Sequence, residues 1–321
     1  MRPPEFWRRS GGTARLLAPL GHAYALGARL RRHLTVPVRA QLPVICIGNL
    51  VAGGAGKTPT ALAVAERLAA LGRRPAFLTR GYGGSEAGPL LVDRARHDAA
   101  AVGDEALLLA GRHPTVVARR RPAGAVLARQ TGADVVVMDD GFQNPSLAKT
   151  LSLLVIDAEQ GLGNGRVLPA GPLREPVAQG LARAQGVVLI GPAGPELRRR
   201  LAGHEVLAAQ LEPQAQSLAG RRFVAFAGIG RPEKFFATLA DLGAELVERR
   251  AFADHHRYRA VELAALRQAA EAAGAALITT EKDWLRLAEG ERQNIALLPV
   301  RLVFAEPGRL DRLLRKALAD V

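Results

Sequence analysis

The sequence predicts an α/β fold: a parallel sheet covered by helices on both faces, followed by a second, smaller α/β unit. Three observations lead there. Short aliphatic runs alternate with helical stretches from about residue 40 onward, the pattern of strand–helix–strand units. A Gly-rich turn joins one such run to a helix that opens at Lys57-Thr58. The composition, 48% hydrophobic but only 4% aromatic, suits a sheet packed with small aliphatic side chains. A chain of 321 residues is long enough for two ordinary domains, and its apolar fraction is too high for disorder.

Residues 1–39 stand apart by charge. They carry Arg2, Arg8, Arg9, Arg15, Arg29, Arg31, Arg32 and Arg39 against one acid, Glu5. The uncharged stretch from Leu16 to Ala28 is interrupted by Pro19, Gly21 and His22. It is shorter than the about 20 apolar residues a membrane span needs. Ala23-Tyr24-Ala25 has the small-x-small form of a signal-peptidase site, but the apolar core before it is too short and broken, so no cleavage is expected. Arginines flanking a short apolar stretch fit an interfacial segment on an anionic bilayer. An ordinary surface helix is the competing reading.

Residues 40–205 form the first α/β unit. Strands are expected at 43–48, 74–79, 114–118, 134–138, 151–157 and 186–190, with helices at 57–71, 103–111 and 122–130. The Gly/Pro-rich stretch 161–176 is a long loop, and such loops in compact domains usually carry function. The smaller unit spans 217–299, with strands at 222–228, 244–251, 275–279 and 294–298 and helices at 231–241, 260–273 and 281–288. Segments 206–216 and 300–305 flank it as a two-stranded link. A last helix within 306–321 then returns to the first unit. The chain has no internal repeat and no low-complexity tract.

Residues 43–71 read strand, Gly-rich loop, helix. Gly53-Gly54-Ala55-Gly56-Lys57-Thr58 supplies what a phosphate-binding loop requires. Glycines let backbone N–H groups converge on phosphate oxygens, and the helix N-terminus adds its positive end. In that role Lys57 contacts the β- and γ-phosphates of ATP, and the Thr58 hydroxyl holds Mg²⁺. The strict pattern places Gly five residues before Gly56, where this chain has Val51. The run Val135-Val136-Val137-Met138 ends in Asp139-Asp140. Carboxylates at a strand's carboxyl end are the second half of such machinery, binding Mg²⁺ directly or through water. Solvation of an exposed turn is the alternative. Together these features predict a P-loop NTPase-like first unit.

Composition narrows the partners. Forty-four Lys and Arg against 30 Asp and Glu leave a net charge of +14, which favours nucleotides, nucleic acid or an anionic membrane. No zinc-ligand spacing and no basic–aromatic interleaving points to nucleic acid, so none is expected as a partner. Nothing requires an obligate protein partner. The single Cys46 cannot form an intrachain disulfide and, inside an apolar run, reads as buried filler.

Seven motifs occur in order: Gly48-Asn49-Leu50 with the loop through Pro59, Thr79-Arg80-Gly81-Tyr82-Gly83-Gly84, Val102-Gly103-Asp104-Glu105, Asp139-Asp140-Gly141-Phe142-Gln143, Leu168 through Pro176, Asp254-His255-His256-Arg257-Tyr258, and Thr279-Thr280-Glu281-Lys282-Asp283. In this order they resemble the tetraacyldisaccharide 4′-kinase family of lipid A biosynthesis, Val51 included. Asn144 stands where that family usually has His, and Ala106 where it often has Pro.

The resemblance implies an ATP-dependent kinase acting on the 4′-hydroxyl of a lipid disaccharide 1-phosphate. It also implies a peripheral protein at the cytoplasmic face of the bacterial inner membrane. Asp104 resembles the family's base and His255 its partner; His256 is the alternative. Asp104 also suits a helix N-cap. Arg80, Arg174 and Glu175, with Glu105 beside Asp104, are expected to meet substrate or phosphate, and Tyr82 to present its ring to a base or sugar. Glu281-Lys282-Asp283 reads as a capped helix start. The rival enzyme reading, a nucleotide hydrolase, needs neither a base aimed at a sugar nor a membrane-seeking terminus.

Overall fold

The computed structural model describes residues 4–9, 11–215 and 217–319. Arg2 of the basic segment, Gln216 of the expected link, and Asp320 and Val321 of the last helix lie outside the described residues. In chain order the strands are β1 (Val44–Gly48), β2 (Pro75–Thr79), β3 (Leu90–Leu91), β4 (Thr115–Val117), β5 (Val135–Asp139), β6 (Leu151–Asp157), β7 (Gly186–Ile190), β8 (Val206–Pro213), β9 (Arg222–Ala227), β10 (Glu245–Ala251), β11 (Ala276–Thr280), β12 (Ile295–Leu298) and β13 (Val300–Phe304).

Nine strands make the larger sheet in the order β13-β8-β7-β6-β1-β5-β2-β4-β3. All neighbours run parallel except the edge pairs β13 with β8 and β3 with β4. Strand β1 lies between β5 and β6, so the crevice at a topological switch point opens beyond its carboxyl end, the usual ligand position in such sheets. The period-2 alternation of β1 fills both faces. Val44 and Cys46 pack with Val136, Met138, Leu154 and Ile156 on one side. Ile45 and Ile47 pack with Val64 and Leu68 of the helix Lys57–Ala70 on the other. Cys46 is fully buried, and burial pushes its thiol up to about 12.

Segments β8 and β13 pair antiparallel, from Val300 opposite Pro213 to Phe304 opposite Ala209. Strand β8 also pairs parallel with β7, so the two extend the large sheet. This pairing satisfies the backbone edge of β7 and buries Leu207, Ala209, Leu302 and Phe304. The last helix, Pro307–Ala319, lays Leu310, Leu314 and Ala317 on the same face. Arg67 Nε donates to Asp311 Oδ1 at 2.9 Å and ties that helix to Lys57–Ala70.

The smaller sheet, β10-β9-β11-β12, is parallel throughout. Phe235, Phe236 and Leu239 of helix Pro232–Asp241 cover one face, and Leu263, Leu266 and Ala270 of helix Ala260–Ala272 cover the other. Ahead of both units, helix Ala18–Leu34 touches the body at Gly21, its one buried residue. A Cβ there would meet Val167 O at 2.9 Å. Leu16, Leu20 and Tyr24, and then Leu26, Leu30 and Leu34, recur every four residues in this region, and all are exposed. Among the described residues no helix is long and apolar enough to cross a membrane.

Candidate active site

The loop between β1 and helix Lys57–Ala70 is bounded by two glycines at which a side chain would clash or strain the backbone. A Cβ on Gly48 would lie 2.3 Å from Phe142 Cβ. Gly56 has φ of 83°, and a Cβ there would lie 2.4 Å from Ile190 Cδ1. Val51 is buried and bridges Leu173, while Ala52 N–H donates to Pro172 O at 2.7 Å. The position without glycine is therefore an apolar anchor. Gly53 and Gly54 are exposed at the tip, Ala55 is tucked beneath, and Lys57 begins the helix.

Two acids close the site from β5. Ile47 and Asp139 are register partners, which brings the end of β5 beside the loop. Thr58 Oγ1 donates to Asp139 Oδ2 at 3.0 Å, and both residues are buried. Asp139 Oδ1 is buried with no hydrogen-bond partner. Burial, then the charge of Glu105, raises the Asp139 carboxyl to about 7, against the pull of Lys57. Asp140 takes the left-handed conformation, φ 52°. That turns its carboxylate toward Arg174 Nη1 at 2.8 Å and Lys57 Nζ at 3.8 Å. Burial would raise Asp140, but Lys57 and Arg174 hold it below the ordinary carboxylate range.

These donors fit Mg²⁺. An orphaned buried carboxylate oxygen beside a threonine hydroxyl is a hard-oxygen pair. No cluster of three or more His, Cys, Asp or Glu suited to a metal exists among the described residues. An ion held by Thr58 and Asp139 would take its remaining ligands from phosphate and water.

Across the crevice, the smaller unit meets the larger at Asp104. This residue opens helix Asp104–Ala110 after Gly103 and is 3% exposed. His255 Nδ1 stands 3.4 Å from Asp104 Oδ1, with the histidine backbone in the left-handed region, φ 58°. Arg286 grips the other oxygen, Oδ2, through Nε at 2.9 Å and through Nη2. Burial opposes ionisation of Asp104, yet the pairing with His255 and the charges of Lys282 and Arg286 carry it far below its ordinary value. The Asp104 pairing raises His255. Lys282 Nζ donates to Glu105 Oε1 at 2.8 Å. Burial works against that ammonium, but Glu105 and Asp104 outweigh it and its pKa is raised.

The remaining expected residues divide. Tyr82 is exposed, and its ring lies 5.1 Å from that of His255, so it sits at the crevice. Arg80 is also exposed. Glu175 is not available to substrate. It is fully buried, pairs with Arg32 at 3.3 Å and with Arg183, and accepts from Gln143 Nε2 at 3.1 Å. A carboxylate this deep needs those cations, and it ties the N-terminal helix to the Asp139–Gln143 turn. Glu105 is likewise engaged with Lys282. His256 is occupied elsewhere: Nε2 lies 2.9 Å from Glu262 Oε2, and the ring stacks on Phe252. Asn144 closes a local turn, its Oδ1 accepting from Ser146 N and Oγ at 2.9 and 2.8 Å. Ala106 is core.

Sequence reasoning missed three groups. Thr280 does cap its helix, accepting from Asp283 N at 3.1 Å, but that helix also aims Lys282 and Arg286 at the other unit. Their i, i+4 spacing was the available signal. Arg121 is buried, donates to Ala118 O and lies within the fields of Arg80, Asp140 and Asp139. Only the run Arg119-Arg120-Arg121 hinted at it.

The family model for tetraacyldisaccharide-1-P 4'-kinase matches residues 13–319. The chain belongs to the tetraacyldisaccharide-1-P 4′-kinase family. A tetraacyldisaccharide 4'-kinase of Methylobacterium radiotolerans is 55% identical over 325 residues, 99% of each chain. One of Paramagnetospirillum magneticum is 52% identical over 317 residues, 98% of each chain. The fold is similar to a crystal structure of LpxK from Aquifex aeolicus in complex with ATP. The TM-score is 0.77 at 26% identity, covering 95% of this chain and 99% of that one. Membership makes the chain a P-loop kinase of lipid A biosynthesis.

Proposed function

We propose that this kinase transfers the γ-phosphate of ATP to the 4′-hydroxyl of a tetraacylated disaccharide 1-phosphate at the cytoplasmic face of the inner membrane. The observation that carries the reading is the meeting of two half-sites. The Lys57–Thr58–Asp139 cluster lies at the sheet's switch point, and the Asp104–His255 pair lies where the smaller unit closes over the crevice.

Backbone N–H groups of Gly53 to Thr58 cradle the phosphates, and Lys57 balances charge on the transferred group. Thr58 and Asp139 would hold Mg²⁺, with Asp140 alongside, and the ion when bound would supply positive charge against the phosphates. Asp140 holds Lys57 and Arg174 at the mouth of the loop. Arg174 and Arg80 suit the anionic acceptor, since a guanidinium forks onto phosphate. Asp104 and His255 act as one unit that takes the acceptor proton. The exposed leucines of helix 18–34, with Arg29 and Arg31 on the same helix, seat the protein on an anionic bilayer.

The test incubates the protein with ATP, Mg²⁺ and a lipid disaccharide 1-phosphate and reads the product by mass spectrometry. One added phosphate at the 4′-position is expected, and Lys57→Ala should abolish it. ATP consumption without a phosphorylated lipid would favour the hydrolase reading.

A further inference from the structure

The carboxylate of Asp104 is fully engaged. Oδ1 accepts the Glu105 N–H at 3.0 Å and faces His255. Oδ2 receives Arg286 Nε at 2.9 Å together with Nη2. A carboxylate has about four acceptor sites, so these contacts fill them, and the most distant, His255 at 3.4 Å, is the one an acceptor can displace or use. Arg286 is itself locked. Its side chain is 5% exposed, and Nη1 donates to Gly228 O at 2.6 Å and Asp283 Oδ1 at 2.7 Å. Asp283 is buried too and accepts from Tyr258 OH at 2.8 Å, Gly228 N at 3.0 Å and Thr280 Oγ1 at 2.7 Å. The guanidinium is thus fixed to the end of β9 and presented across the crevice to the other unit.

We propose that Arg286 is a positioning residue for phosphoryl transfer: delivered by the smaller unit, it pins Asp104 by Oδ2 and leaves the Oδ1 side, with His255, to receive the acceptor proton. The inference rests on the proposed role of the Asp104–His255 pair. It gives closure of the two units a chemical consequence. When the smaller unit is withdrawn, Asp104 loses both Arg286 and His255, so the proton-accepting pair exists only over a closed crevice. Lys282 reinforces the contact one helical turn earlier by holding Glu105.

The charged and titratable groups facing the pair are known. Glu105 lies on the same helix as Asp104. Lys282, Asp283 and Arg286 come from helix Glu281–Arg286. Asp254, Tyr258 and the Tyr82 ring come from the neighbouring loops. Arg286 favours the ionised carboxylate, and its positive charge also opposes protonation of His255. Removing it therefore raises the titration of the Asp104 carboxylate, so the acid limb of the pH–rate profile set by that carboxylate moves to higher pH.

The test compares full-length wild type with Arg286→Gln and Arg286→Lys. Arg286→Gln should lower kcat on the order of 10²-fold at neutral pH, the scale set by misplaced reacting groups. The KM for ATP should stay within about twofold, the acid limb should move upward, and part of the rate should return at alkaline pH. Arg286→Lys, which keeps the charge but not the fork, should fall between. A rate lowered equally at every pH, with the limb unmoved and Lys no better than Gln, would overturn the proposal. The NMR titration of His255, assigned with His255→Gln, needs no turnover. Its midpoint should shift in Arg286→Gln, because the Asp104 partner is no longer held, and an unchanged midpoint counts against the proposal. If wild type phosphorylates no lipid, the proposed activity fails, while the His255 titration still decides whether Arg286 holds the Asp104–His255 pair.

Discussion

At the scale of single residues, two buried carboxylates contrast: Asp139 keeps an oxygen without a partner, whereas both oxygens of Asp104 are engaged. Asp139 Oδ1 has no partner, and a buried carboxylate without one is costly unless a cation completes it. Asp139→Asn should therefore raise the Mg²⁺ concentration needed for half-maximal rate by tenfold or more, an order-of-magnitude expectation for losing a ligand. An unchanged Mg²⁺ titration would remove Asp139 from the metal site. The Asp104–His255 pair gives a second prediction. Each single alanine variant should lower kcat by roughly 10²–10⁴-fold, the range of general base catalysis. The double variant should lose little more than the worse single, because residues acting as a unit are not additive. Losses that multiply in steady-state kinetics would show that the two act independently.

At the scale of elements, Glu175 shows how a loop charge becomes a structural rivet. It joins Arg32 of helix Ala18–Leu34 to Arg183 and to Gln143 of the Asp139–Gln143 turn. Glu175→Gln keeps the shape but leaves two guanidinium groups short of their carboxylate. The expected loss is about 1–3 kcal/mol, and it should be felt most at the N-terminal helix. Hydrogen exchange should show helix 18–34 opening faster while the helix Lys57–Ala70 stays protected. Equal protection at both helices would mean that Gly21 packing, not this ion pair, holds the N-terminal helix.

At the scale of the whole molecule, two features reach beyond the crevice. The exposed leucine stripe and its arginines should dock the protein to anionic vesicles. With about 1 kcal/mol per basic residue near the surface, binding should weaken steeply with salt. It should also fall in a chain lacking residues 1–39; co-sedimentation unaffected by that truncation would refute the anchor. The second feature is the set of ion pairs between the units. Arg231 and Lys234 hold Asp157 at 2.9 and 3.3 Å, in addition to Arg286 and His255 on Asp104. His255 titrates higher in the folded state than its ordinary 6.5. Its contribution to stability is therefore fully present below that value and is lost as pH rises through the folded pKa. The melting temperature of wild type should exceed that of His255→Gln at mildly acid pH, and the gap should close as pH rises. A gap that widens toward alkaline pH would contradict the pairing.

The sequence by itself determined the layered α/β architecture, the phosphate loop and its acids, because these depend on local rules. Aliphatic runs make strands, glycines permit the turn at Gly56, and a carboxylate at a strand's end faces the crevice. Motif order also carried the pairing of Asp104 with a histidine, although it left His255 and His256 open. Only tertiary structure separated those two, by stacking His256 on Phe252 and placing His255, with its left-handed backbone, against Asp104. Tertiary structure alone buried Glu175 away from substrate, merged the expected link into the edge of the large sheet, and delivered Arg286 to Asp104 across 182 residues. Such contacts depend on how two units meet, which no local pattern records. A guanidinium at the end of a short helix reads as surface charge until the opposing carboxylate is placed beside it.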